Sequence, residues 1–123
     1  MSNSLPYSQW TQDEHARWIL AGNTFGHHVM ESARDYALNQ IPKNVSPEAL
    51  AVSQQAIHNA LYGMMMILDG ITENRIDNQH RVEYVLATRI HSHGKTVEMI
   101  ELTPNGDGLC IGFHGWVDEH STK

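Results

Sequence analysis

Residues Ser46 to Gly70, SPEALAVSQQAIHNALYGMMMILDG, carry a helix start, a helix stop and an apolar stripe in one continuous run. Ser46 is a favourable N-cap, because its hydroxyl accepts from a backbone N–H of the first turn. Pro47 suits the first helical position, and Glu48 meets the positive end of the helix dipole. Gly70 closes the run with a residue that enters the left-handed conformation without Cβ strain. Leu50, Ile57, Leu61, Met64 and Leu68 recur at helical spacing, while Met65, Met66 and Ile67 spread apolar surface around the last turns. The spacing predicts a helix whose stripe faces a second layer and whose C-terminal end is covered on more than one side.

Upstream, Thr11-Gln12-Asp13-Glu14 reads as a capping box that opens a first helical region. Trp18, Phe25, Val29, Ser32, Ala33 and Tyr36 share one face of it. Gly22 and Gly26 interrupt good helix formers, each costing about 1 kcal/mol relative to alanine. The region is therefore either one kinked helix to about Asn39 or two helices broken near Gly22, and Pro42 ends it. The short connection Ile41 to Val45 predicts an antiparallel helical hairpin over 11–70. Residues 1–10 read as a loose arm, with Tyr7 and Trp10 available to pin its end.

Beyond Gly70 a polar connector, ITENRIDNQH, precedes a change of period. Arg81 to His91, Thr96 to Thr103 and Leu109 to Trp116 are rich in β-branched and aromatic residues, bounded by turns at His93-Gly94 and Pro104 to Gly108. They predict a three-stranded antiparallel meander over 81–117, followed by a frayed tail over 118–123. The expected fold is α+β in the order ααβββ, one domain with the helical hairpin packed on one face of the sheet. Burial selects a register with His91 opposite Thr96 and Arg89 opposite Glu98. Tyr84, Leu86, Thr88, Ile90, Val97, Met99, Leu109, Ile111 and Phe113 then share the apolar face. Arg89, Glu98 and His114 then form a polar row on the other face, beside Trp116, unless a two-residue Asn105-Gly106 turn shifts the third strand and breaks the row.

The composition, 41% hydrophobic and 18% charged, is that of a soluble globular protein. A formal net charge of −6 argues against nucleic acid as a partner, since that binding depends on neutralising phosphates. One cysteine, Cys110, excludes an intramolecular disulfide and a cysteine-rich zinc cage, and suggests a cytoplasmic address. Set between Leu109 and Ile111, it reads as a small strand residue rather than a nucleophile. No apolar run reaches the roughly 18 residues that a membrane span requires, and the first residues lack the pattern of a secretory signal. Full protonation of the nine histidines would take the charge from −6 to −6 + 9 = +3, so charge and assembly are expected to respond to mild acid.

Two constellations of histidine and carboxylate stand out. His28, Glu31 and Asp35 align along the first helix, with His58, Tyr62 and Asp69 along the second; bundles build metal sites from facing helices in this way. His27 and His28 lie about 100° apart around a helix, so only one of them faces such a site. His91 and His93, two residues apart, would project from one side of a continuing strand. His93, however, falls in the turn with Gly94, where alternation breaks down, and a third ligand, His114 or Glu98, would have to come from a neighbouring strand. The chain has no Gly-x-Ser-x-Gly elbow, His-Glu-x-x-His or phosphate-loop motif.

These features favour a small acidic protein-binding or accessory module, immunity-protein-like in size and charge alone, without a cofactor. It would take a protein partner, a basic one by charge, through Arg89, Glu98, His114 and Trp116. It would form a homodimer by pairing sheet edges or covering the sheet face around Trp116. The alternative is a small metal- or histidine-dependent enzyme holding a divalent transition metal with His28, Glu31, His58 and His91.

Overall fold

A computed structural model of the protein describes residues 5–103 and 108–121. The expected central helix forms, as the third in chain order. Helix α1 (Glu14–His28) passes through a π-helical segment, Val29–Arg34, into the short α2 (Asp35–Asn39). Helix α3 spans Pro47–Asp69. Strands β1 (Arg75–Asp77) and β2 (His80–Arg81) make a first small hairpin, and β3 (Ala87–Ser92) with β4 (Lys95–Glu101) a second. Helix α4 (Gly108–Ser121) follows. The fold is α+β, with two antiparallel strand pairs in place of a three-stranded meander.

The caps of α3 are those its sequence encodes. Ser46 Oγ accepts from the Ala49 N–H at 3.1 Å, and Gly70 sits at φ 76°, in the left-handed region. At α1, Asp13 rather than Thr11 is the N-cap, its side chain accepting from the Ala16 N–H at 2.9 Å. The helix runs unbroken past Gly22; its irregularity is the π segment, where Val29, Met30 and Arg34 are buried.

The largest correction concerns Leu109 to Trp116, expected as a third strand and found within α4. Leu109, Phe113, Trp116 and His120 are spaced four, three and four apart, and all four are buried along one side of that helix. Its N-terminus is held from α3: the Asp69 carboxylate accepts from the Leu109 N–H at 3.1 Å and the Cys110 N–H at 2.8 Å. These donors belong to the first turn and have no partner within their own helix. The tail expected to fray is helical through Ser121. Of the expected turn at Pro104 to Gly108, all but Gly108 lies outside the described residues.

The principal core is consequently helix on helix. Val29 and Met30 meet Met65 of α3 and Leu109, Cys110, Phe113 and Trp116 of α4. Helix α3 is rotated from the expected orientation: Met65 and Asp69 are buried, while Leu50 and Met64 are 39% and 52% exposed. A second cluster, Trp10, Ala21 and Leu102, seats the N-terminal segment and the β3–β4 hairpin on α1.

That hairpin turns at His93-Gly94, both at positive φ, as a two-residue connection requires. His91 lies opposite Thr96 as expected, but a bulge then shifts the register, so that Ile90 faces Glu98 and Arg89 faces Met99. The extra residue, Val97, turns β4 over. Glu98 and Ile100 point inward with Thr88 and Ile90, and Val97 and Met99 face out. Trp10 beneath and Arg17 on α1 explain the preference, because Arg17 requires the carboxylate on that side. Arg17 Nε donates to Glu98 Oε2 at 3.0 Å, its Nη2 pairs with Oε1, and the Tyr7 hydroxyl donates to Oε1 at 2.6 Å. Hydrogen bonds from Arg17, then from Tyr7, hold the Glu98 carboxyl below the usual carboxylate range.

Two predictions follow from these anchors. Asp69→Ala removes the buried carboxylate to which both N–H groups donate and is expected to cost about 2–4 kcal/mol, or roughly 10 °C in thermal midpoint. Asp69→Asn should lose less, since its amide oxygen still accepts; equal midpoints for wild type and Asp69→Ala would contradict the anchoring role. The stabilisation held by Glu98 is complete above the ordinary carboxylate pKa of about 4.3 and disappears as pH falls through the lower folded-state value. Thermal midpoints of wild type and Glu98→Gln should therefore differ at pH 7 and converge toward pH 3.

Candidate functional site

The fold brings His27, Glu31 and His120 together at the end of the α1–α4 contact. Among the described residues, each of the three offers one ligand atom, and these atoms lie within 4.8 Å of one another. His27 is in the last turn of α1, Glu31 one turn further in the π segment, and His120 in the last turn of α4. The approach of the two helices is set by one residue pair. A Cβ on Gly26 would lie 2.1 Å from the Trp116 ring, so only glycine lets the indole lie against the backbone of α1. His27 follows Gly26 directly, and His120 stands one helical turn beyond Trp116. The same contact that packs the core thus delivers the two imidazoles, with ring centroids 5.7 Å apart.

One hydrogen bond orients the His120 ring for ligation. His120 is buried, and its Nδ1 lies 2.9 Å from the Trp116 carbonyl oxygen. A carbonyl only accepts, so Nδ1 carries the proton and Nε2 presents its lone pair. Metal-binding histidines are commonly fixed in this manner. His27 Nε2 lies 3.4 Å from Glu31 Oε1, and its buried Nδ1 has no hydrogen-bond partner among the described residues. Glu31 is more exposed than either histidine, which leaves the cluster open to solvent on one side.

Two imidazoles and a carboxylate form a donor set suited to zinc and neighbouring divalent transition metals. A tetrahedral ion with bonds of about 2.0–2.1 Å spaces its ligand atoms about 3.4 Å apart, so small side-chain rotations would close this triangle on an ion. With three protein ligands, a fourth position would be left to solvent on the side of Glu31.

The residues expected to form sites divide differently. Glu31 belongs to the cluster; His28 does not, being exposed beside His27 on the neighbouring side of α1. His58 is half-buried on α3, where burial and then the charge of Arg34 hinder its protonation. His91 is exposed at the end of β3, with Thr96 Oγ1 3.2 Å from its Nδ1. The polar row of Arg89, Glu98 and His114 does not assemble. Arg89 lies on the outer face of the hairpin, Glu98 is engaged by Arg17 and Tyr7, and His114 is on α4 with its ring 5.3 Å from Tyr62. Trp116 is core, between Phe25 and Phe113, and offers no sheet face for a partner.

Local sequence encodes only half of this site. His27 and Glu31 have the i, i+4 spacing of a shared helix face, and His120 stands four residues after Trp116, but reading 109–116 as strand hid the second relation. Among the described residues, no helix is long and apolar enough to cross a membrane. Comparison of the chain with protein-family models, with curated proteins and with solved structures gives no match in any of the three.

Proposed function

We propose that the protein binds a divalent transition-metal ion, zinc being the best fit, through His27, Glu31 and His120. It is the metal-dependent reading of the sequence, relocated from His28, His58 and His91. The observation that carries it is the convergence of three ligand side chains from two helices, with His120 Nδ1 committed to a backbone carbonyl and Nε2 left to coordinate. A bound zinc-type ion with an open position supplies a Lewis acid and an activated water. The chain's own part is to orient Nε2 of His120 through the Trp116 carbonyl and to keep one side of the site accessible beside Glu31.

A second reading, the small acidic protein-binding module, is favoured by apolar side chains left on the surface, among them Val52 at 69% and Ile111 at 64% exposure. Its basic partner would bind in a salt-dependent manner through the surplus of acidic groups.

Titration of chelator-stripped protein with Co2+, followed by visible absorption and zinc competition, tests the metal reading. One equivalent per chain is expected. His27→Ala or His120→Gln should weaken binding by about tenfold or more, with helix content checked by circular dichroism. His28→Ala and His114→Ala should bind as wild type does. Affinity unchanged in both His27→Ala and His120→Gln, or no stoichiometric binding, would sink the proposal.

A further inference from the structure

A cleft of about 330 Å³ lies between α1 and α4, beside Leu102, and the core does not fill it. Trp18 and Trp116 line it as aromatic walls, and Ile19 and Ile111 supply an apolar rim, 44% and 64% exposed. Glycines shape the space. The ring of Trp18 fits because Gly108 has no side chain, since a Cβ there would lie 2.9 Å from Cη2; Trp116 fits beside Gly112 in the same way. Gly22, which also lines the cleft, differs: a Cβ there would meet nothing within 4 Å, so no neighbour requires its absence. Glycine inside a helix costs stability relative to alanine, and what it leaves here is open space beside the indoles. None of the described residues lining the cleft is charged, in a chain of net charge −6. Its uncommitted side-chain polar groups are donors. Trp116 Nε1 donates to Asn23 Oδ1 at 3.4 Å, which leaves the Asn23 amide nitrogen, with two N–H groups, unpartnered among the described residues. Trp18 Nε1 is buried without an acceptor among those residues, and it adjoins the Cζ2 edge that the ring turns to Gly108. Buried donors normally have an acceptor.

We propose that this cleft binds a small uncharged aromatic molecule, of one or two fused rings, that carries an acceptor oxygen or nitrogen. Its volume stands at the lower end of the range of about 300–1,000 Å³ typical of small-molecule sites, which sets the size of the ligand. The rings would lie against the two indoles, where offset or edge-on aromatic contacts are favourable, over the open backbone at Gly22. The acceptor would face the free N–H groups of Asn23. Charge sets the remaining requirement. With no cation in the lining a carboxylate or phosphate would be buried uncompensated, and with no acid an ammonium group would be too. None of His27, Glu31 or His120 lines the cleft, so the site stands or falls separately from metal binding.

Indanone, a neutral fused-ring aromatic ketone, is the probe. Titrated into the full chain and followed by the indole signals in proton–nitrogen correlation spectra, it should shift Trp18 and Trp116 saturably and leave Trp10, outside the cleft, unmoved. Gly22→Leu occupies the space without a clash at Cβ and should weaken binding by about tenfold or more, with helix content and thermal midpoint retained. Gly63→Leu, at a helical glycine equally free of neighbours but on α3, should bind as wild type does. Indane, which lacks the carbonyl, should bind about three- to tenfold more weakly, and indane carboxylate more weakly still. Absence of saturable shifts at millimolar indanone, binding undiminished in Gly22→Leu, or indane or its carboxylate matching indanone would overturn the proposal. So would tighter binding of N-acetylphenylalaninamide than of indanone, which would assign the cleft to a side chain of a protein partner.

Discussion

The carboxylate of Asp69 is the constraint on which the rest of the molecule depends. It occupies the last position of α3, where the negative end of the helix dipole disfavours an acidic side chain. Its placement is explained by α4, whose first-turn N–H groups it accepts and whose positive end it neutralises. One buried side chain thereby ties the end of α3, which Gly70 closes, to the first turn of α4. Met65, one turn earlier, then falls against Leu109, Cys110 and Phe113, and the helical core closes around that junction.

From that junction the remaining geometry runs down α4. Phe113 and Trp116 follow on the buried side, and Trp116 lies against the backbone of α1 at Gly26. Gly112 serves the same indole from its own helix, where a Cβ would lie 2.9 Å away. Glycine in a helix interior costs stability, so these residues read as helix breakers when taken singly. In the fold that cost is offset by burying a tryptophan between two helices. The same close approach sets His27 beside His120, which makes the candidate metal centre a by-product of core packing rather than of a local motif.

The second hairpin answers to a different constraint. Arg17 is fixed by α1, and its guanidinium also bonds the Thr11 carbonyl oxygen at 2.7 Å and lies over the rings of Tyr7 and Trp10. Glu98 must face this cation, and β4 accommodates it by adding one residue between the pairs Ile90–Glu98 and His91–Thr96. A single bulge therefore places an ion pair inward and two apolar side chains, Val97 and Met99, outward. Alternation along the strands, taken without the helix beneath them, gives the opposite assignment.

Sequence alone determined the elements whose signals act within a turn or two of the chain. Both caps of α3, the termination of the first helical region before Pro42 and the His93-Gly94 turn were all readable, because each depends on a side chain or φ angle a few residues from its effect. Tertiary structure decided what depended on distant partners. The cap of α4 comes from a residue 40 positions upstream, so the run from Leu109 to Trp116, with its glycines and aromatic residues, reads as strand until Asp69 is brought to it. Which side of α3 is buried, which way Glu98 points and which of His27 and His28 meets His120 were settled likewise. Periodicity specifies that a face exists, and only the opposing surface specifies which face is turned inward.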